Sequence, residues 1–396
     1  MQGPKWEVSD ILRLCKDEII DSKKLKKLPK HIKRVAFDLM KCRTGALGGH
    51  KLICNKCGHS DISYNSCRNR HCPKCQYSKR EQWVLDREKD LIPVRYFHVI
   101  FTLPTEINQL AKCYPGPVYD ILFKAAWNTV KTLASDSNWL GGDAGMIALL
   151  HTWGQNLSLH PHLHCLVPNG AWVPELNRWV YPKKRHFLFP VRVMSKMFRG
   201  VFIEFLKKAY VEKRILWDQK SWLVIERQIE KAGFNVFSKL SYGGPSQIIQ
   251  YLARYSHRVA ITNRRILNVD EKSVSFQYKD YRDGKSKALS ITPHQFVQRF
   301  LLHVLPKGFA KIRHYGILSN RSRSVLLPAI LYFFERRVPP GKKLSLVEHL
   351  KKVLNLDIGL CPVCKQGVMM MQRISDIIMP IRGDPTYSFT KRGSNI

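Results

Sequence analysis

Acidic residues are scarce in this chain. Against 66 Lys and Arg stand 30 Asp and Glu, which leaves a formal net charge of +36 and a sequence pI near 9.9. An excess of that size repels itself unless a polyanion meets it, and nucleic acid is the natural one. Long apolar runs are also missing: none approaches the ~18 residues of a membrane-spanning helix. The opening Met1-Gln2-Gly3-Pro4-Lys5 is no signal peptide. These absences set a membrane aside as the polyanion, and a soluble cytoplasmic protein is expected. Without an export signal, the eleven cysteines read as thiols or metal ligands rather than disulfides. Disorder is excluded by 44% hydrophobic residues with 18 Phe, 15 Tyr and 9 Trp. A length of 396 residues suffices for a main domain with one or two appended modules.

The densest chemistry lies in His160-Pro161-His162-Leu163-His164. In an extended strand side chains alternate between faces, so His162 and His164 share one face while Leu163, Cys165 and Val167 point to a core. Neutral imidazole is a common ligand of divalent metals, and this arrangement suits one. Residues 146–153 and 162–173 read as two strands joined by a turn through Gly154, Gln155 and Asn156. Paired antiparallel, they bring His151 close as a third ligand, although sequence does not fix the register. A merely His-rich strand edge is the bland reading, and the several imidazoles at alternate positions weigh against it.

Cysteines supply a second constellation. Cys54-x2-Cys57 and Cys72-x2-Cys75 form two knuckles, with Cys67 and His71 between them. The spacing matches tetrahedral structural zinc, with Cys54, Cys57, Cys72 and Cys75 as the four ligands. Cys67 and His71 are left as substitute ligands, members of a second site, or bystanders. A redox pair fits less well, since such motifs come singly. Arg68 and Arg70 give the module a basic surface suited to DNA, and a lysine-rich helical arm precedes it. Cys361-x2-Cys364 is a lone knuckle that needs two partners from elsewhere in the chain or from another subunit.

Elsewhere, residues 95–103 read as a strand and 118–134 as a helix. Residues 178–181 look like a hairpin arm continuing the sheet, and 193–211 like a helix with Met194, Met197, Phe198, Val201, Phe202 and Phe205 in one core-facing stripe. Residues 273–278 and 287–291 form a hairpin around Asp283-Gly284, followed by a helix over 293–304, a strand over 311–318 and an apolar helix over 326–334. Arg299, Arg313 and His314 are weighed evenly between DNA contact and ordinary surface.

After Gly243-Gly244-Pro245, the run Ser246 to Arg258 has the periodicity of a helix, with Tyr251 and Tyr255 at i and i+4 on one face. An isolated pair of this kind is usually half-buried core. Here Arg254, Arg258, Arg264 and Arg265 add cations for phosphates, and a metal site lies in the same chain. A phenol ionises near pH ~10, so its attack on a phosphodiester needs help, which a metal at His162 and His164 supplies.

Taken together, the His162-Leu163-His164 strand with His151 before it, the Tyr251-x3-Tyr255 helix running into Arg258-Val259-Ala260-Ile261, and the Cys54 to Cys75 module resemble the rolling-circle insertion-sequence transposases of the two-tyrosine HUH class. The resemblance spans about residues 40–320, with the motifs in the family's order. It implies an α+β fold, with a central antiparallel sheet flanked by helices and a small amino-terminal zinc module. It also implies a prokaryotic enzyme that nicks and rejoins single-stranded DNA at element ends through 5′-phosphotyrosine intermediates. Tyr251 and Tyr255 would be the nucleophiles, Mg²⁺ or Mn²⁺ the catalytic ion at His162 and His164, and Zn²⁺ the structural one. Relatives take the third ligand from a neighbouring strand, which fits His151, or from the tyrosine helix, where Gln247 or Gln250 would serve. The expected division is a basic arm over 1–48, a zinc module over 49–80, a catalytic domain over 90–320 and a helical carboxy-terminal region over 321–396.

Two other function classes compete. His160-Pro161-His162-Leu163-His164-Cys165-Leu166 also fits the pattern of histidine-triad nucleotide hydrolases, but the chain's size, its charge, the cysteine knuckles and an unused tyrosine pair oppose that reading. A non-catalytic zinc-dependent DNA-binding regulator would leave the histidines and tyrosines structural. A hydrolase releases mononucleotides without either tyrosine, and a regulator binds without cutting.

Overall fold

The computed structural model describes residues 4–21, 28–76, 81–84, 91–184, 186–241, 259–280, 283–335, 348, 351, 357 and 359–373. Strands run in chain order from β1 (Gly49–Cys54) and β2 (Ser60–Tyr64) to β3 (Tyr96–Thr102), β4 (Gly145–Trp153) and β5 (Leu159–Pro168). They continue as β6 (Ala171–Val173), β7 (Arg178–Val180), β8 (Asn235–Leu240), β9 (Ile266–Val269) and β10 (Val274–Lys279). Last come β11 (Ser286–Ile291), β12 (Ile312–Gly316) and β13 (Met369–Arg373). The chain divides into two compact units, one of residues 1–81, 257–304 and 344–396, the other of 82–256 and 305–343. A serial division therefore does not describe the packing, because residues 257–304 lie with the cysteine-bearing unit.

The second unit is built on a five-stranded sheet in the order β12-β4-β5-β3-β8, antiparallel throughout. Alternation along β3, β4 and β5 sends Val99, Phe101, Leu150, Leu163, Cys165 and Val167 to one face, where all are buried. Helices Pro115–Ser135 and Val191–Val211 cover that face with Phe123, Phe198 and Phe202. Helix Pro115–Ser135 starts with Pro115, whose missing N–H costs nothing in a first turn, and buries Val118, Leu122, Ala125 and Thr129 at helical spacing. In helix Val191–Val211 the expected stripe is only partly buried. Met194, Phe198 and Phe202 are enclosed with Leu206 and Ala209, while Met197, Val201 and Phe205 pack at the edge of the core. The opposite face of the sheet carries Ile147, Leu149 and Leu166, packed with Leu327, Ile330 and Leu331 of helix Asn320–Phe333.

One expectation needs correction. The arm near residue 178 does not continue the central sheet: β6 and β7 make a separate two-stranded sheet. The break follows Pro168, where Gly170 takes φ +133° and a side chain would meet Trp179 Nε1 at 2.3 Å. Only glycine fits that bend.

Among its described residues the first unit holds two three-stranded sheets, ordered β13-β1-β2 and β11-β10-β9. Helix Pro293–Leu301 follows β11 with a reciprocal capping box, Thr292 accepting from the Gln295 N–H and Gln295 from the Thr292 N–H. Asn263 ties the start of helix Val8–Leu14 to this region by accepting from the Val8 N–H at 3.1 Å. No helix among the described residues is long and apolar enough to cross a membrane.

Candidate metal centre and cysteine clusters

Strands β4 and β5 set the histidines. Their register pairs His151 with His162 and Leu149 with His164, so the three imidazoles share a face. The ligand-capable nitrogens of His151, His162 and His164 all lie within 4.8 Å of one another. The Nε2 atoms of His162 and His164 face each other at 3.2 Å. Two nitrogens bound ~2.1 Å from one metal, at angles between octahedral and tetrahedral, stand about 3.0 to 3.4 Å apart. The spacing is that of a ligand pair.

A neighbour fixes the tautomer of His162, and the other two rings are held by neighbouring rings. His162 Nδ1 lies 2.7 Å from the His160 carbonyl, which only accepts, so Nδ1 carries the proton and Nε2 keeps its lone pair. His164 Nδ1 lies 2.9 Å from Nε2 of His98, a residue with no role in the sequence reading. His151 stacks on Trp153 with centroids 4.5 Å apart. Burial pushes His162 and His98 down to about 4, so both are neutral at pH 7, the form that ligates. His160 stands outside the trio: its ring is beside His162, with centroids 5.1 Å apart, and its carbonyl does the orienting.

The cysteines regroup. Cys72 and Cys75 gather with Cys67 and Cys42, with Sγ separations of 3.4 Å for Cys42 to Cys75, 3.5 Å for Cys42 to Cys72 and 3.7 Å for Cys67 to Cys75. Cys54 and Cys57 gather instead with Cys361 and Cys364. The two knuckles expected to close one site thus belong to different clusters. The reason is the β1–β2 hairpin, which carries the first knuckle at its turn while the second follows the hairpin. A tetrahedral ion with Zn–S near 2.3 Å sets its sulfurs about 3.8 Å apart, and both groups fit zinc. Cys67 is a member of its cluster and His71 is not. Cys42 was missed because it has no close cysteine in sequence, and it caps the end of helix Lys30–Lys41. Hydrogen bonding from Cys67 and Cys72 pulls the Cys42 thiol down to about 7, towards thiolate.

Of the basic residues, Arg68 lines a groove of about 1030 Å³ with Asp38, Arg43, His50, Tyr64 and Asn65. Arg70 is half-buried, and that burial lowers its pKa. Arg264 is exposed on a turn, whereas Arg265 donates from Nε to the Gln277 carbonyl at 2.7 Å. Arg313 is occupied within its own unit, paired with Asp120 and lying over Phe123 and Phe309. His314 sits on β12 opposite Ile147, and Arg299 in the last turn of helix Pro293–Leu301. Tyr251, Tyr255, Arg254, Arg258, Gln247 and Gln250 lie outside the described residues.

Residues 145–325 match a family described as "Putative transposase", and residues 11–103 match one described as "Transposase zinc-binding domain". The chain is similar to "Putative transposase y4qJ" of Sinorhizobium fredii, 42% identical over 357 residues that cover 87% of this chain and 89% of that protein. It is also similar to "Transposase for insertion sequence element IS801" of Pseudomonas savastanoi pv. phaseolicola, 25% identical over 351 residues covering 86% and 83%. No solved structure matches. Neither the nucleotide hydrolase nor the non-catalytic regulator finds support among these relatives. With a histidine trio on a central antiparallel sheet and cysteine clusters suited to zinc, the chain belongs to the transposase family of these relatives.

Proposed function

We propose that this transposase cuts and rejoins single-stranded DNA at element ends with Tyr251 and Tyr255 as nucleophiles and with His151, His162 and His164 holding a divalent ion, Mg²⁺ or Mn²⁺. The observation that carries the reading is the convergence of the three imidazoles, with the Nε2 atoms of His162 and His164 3.2 Å apart. The ion supplies polarisation of the scissile phosphate and offsets the charge that develops during in-line displacement. The chain does the rest. One tyrosine oxygen bonds to phosphorus, the bond from phosphorus to the 3′ oxygen breaks, and that oxygen leaves with a proton as a free 3′-hydroxyl. The number of phosphodiester bonds is unchanged, so the reverse attack by a 3′-hydroxyl rejoins DNA without an external energy source. Two phenols permit two such steps in succession.

Arg68, Arg70, Arg254, Arg258, Arg264 and Arg265 are proposed to neutralise phosphates, in keeping with the charge of +36. The groove lined by Arg43, Tyr64 and Arg68 offers both cations and an aromatic face for an unpaired base. The working compartment is proposed to be the prokaryotic cytoplasm, at the nucleoid. Zinc structures the amino-terminal module, while residues 90–320 carry the chemistry in this proposal.

The test is covalent capture. Single-stranded DNA from the element's end, incubated with the full chain and Mg²⁺, is expected to give a protein–DNA adduct that resists denaturation. Tyr251→Phe/Tyr255→Phe should give none while retaining DNA binding, and an undiminished adduct in that variant overturns the assignment.

A further inference from the structure

We infer that Cys54, Cys57, Cys361 and Cys364 form a second tetrathiolate zinc site, in which a knuckle beginning 304 residues after Cys57 completes the one at Cys54 and Cys57. The matched zinc-binding domain ends at residue 103, so two of the four ligands come from outside it.

The geometry is that of two knuckles facing each other. Cys54 Sγ lies 3.7 Å from Cys364 Sγ, and Cys57 Sγ lies 3.7 Å from Cys361 Sγ. Each knuckle turns its backbone N–H groups onto a sulfur: those of Lys56 and Cys57 approach Cys54 Sγ at 3.4 and 3.5 Å, and that of Gly367 approaches Cys364 Sγ at 3.3 Å. Such N–H donors are the usual partners of a metal-bound cysteine sulfur. Left-handed backbone closes each turn, at Gly58 with φ +72° and at Lys365 with φ +53°. Cys54 and Cys361 are buried, Cys364 is half-buried and Cys57 reaches the surface, so an ion has a path in.

The backbone is fitted to the same end. β13 pairs antiparallel with β1 from His50 opposite Arg373 to Cys54 opposite Met369. Asn55 bonds twice to Val368, its N–H donating to the carbonyl at 3.1 Å and its Oδ1 accepting from the N–H at 2.8 Å. A side chain at Gly367 would stand 2.3 Å from Cys54 Sγ, so only glycine lets the knuckles approach.

Apolar burial does not account for this closure. Val368, just before the closing strand, and Met370 and Met371 on it are 45%, 57% and 67% exposed. A five-residue strand with so little packing is marginal by itself, and metal binding is the term that makes such small modules fold.

Cobalt substitution tests this in the full chain, because thiolate-to-cobalt charge transfer reports cysteine-bound metal and is blind to the histidines. The unmodified chain should bind two cobalt ions with this signature. Cys361→Ser/Cys364→Ser should lose half of the absorbance, Cys54→Ser/Cys57→Ser should lose the same half, and the fourfold variant should lose no more. An unchanged signal in the first variant, or losses that add in the fourfold one, overturns the site. Cys364→His guards against a folding artefact: it keeps four ligands, and retention of the second ion with a blue-shifted spectrum supports the site, whereas loss equal to that of Cys364→Ser argues against it. Disulfides joining Cys54 to Cys364 or Cys57 to Cys361, mapped in the native protein, would overturn it as well.

Discussion

His98 Nε2 and His164 Nδ1 stand 2.9 Å apart, with their rings within 3° of parallel. For His164 to offer Nε2 to a metal, its proton must sit on Nδ1, and His98 is placed to accept it. His98→Phe should therefore lower Mn²⁺ affinity by about 10- to 100-fold, measured by calorimetry on the full chain. His98→Gln sets an amide oxygen near the position of Nε2 and should recover part of the loss. Equal affinities in wild type and His98→Phe would show that the contact is packing alone.

Cys42 and His71 make a second contrast. Cys42 belongs to the cluster with Cys67, Cys72 and Cys75, and His71 is outside it. Cys42→Ser should release one zinc ion and expose helix Lys30–Lys41 to proteolysis, while His71→Ala should leave the zinc content unchanged. Elemental analysis with a protease time course reads both, and zinc lost from His71→Ala would restore that residue as a ligand.

Gly316 and Gly200 should respond oppositely to alanine. Gly316 ends β12 at φ +57°, and an added Cβ would lie 1.9 Å from the Ala144 carbonyl oxygen. Gly200 lies within helix Val191–Val211 with open space around it. Gly316→Ala should cost more than about 1 kcal/mol, whereas Gly200→Ala should gain about 0.5 to 1 kcal/mol from its higher helix propensity. Denaturant midpoints at constant slope are the measurement.

Arg264 and Arg313 separate DNA contact from fold. Arg264 is exposed, so Arg264→Ala should weaken single-stranded DNA binding similarly for all sequences and reduce the salt slope by roughly 0.7 to 1. Arg313 is spent on Asp120, Phe123 and Phe309, so Arg313→Ala should cost about 1 kcal/mol of stability and leave the salt slope alone. A changed slope in Arg313→Ala would return it to the DNA surface.

Much of the site was legible because its signals are local. Alternation around His162 and His164 predicts a shared face, and the short turn after Trp153 predicts that His151 joins them. The antiparallel class of the sheet came from the family resemblance, with β3, β4 and β5 consistent with it. What escaped depends on contacts distant in sequence. His98 stands on β3, which reads as a plain apolar strand, and only its pairing with β5 brings it against His164. Cys54 and Cys57 have nearer candidates in Cys72 and Cys75 than in Cys361 and Cys364, so proximity in sequence suggests the wrong partners. Arg313 looks like any exposed cation until helix Pro115–Ser135 supplies Asp120 and Phe123.

The laying of β13 against β1 makes the β1–β2 hairpin depend on a strand more than 300 residues further along. At ~5 to 20 residues per second, a ribosome needs roughly 15 to 60 s to pass from Cys57 to Cys361, the 304 residues between them. Throughout that interval the edge of β1 is unpaired and its knuckle lacks two thiols. Closure of this sheet therefore waits until residues 361–373 have been made.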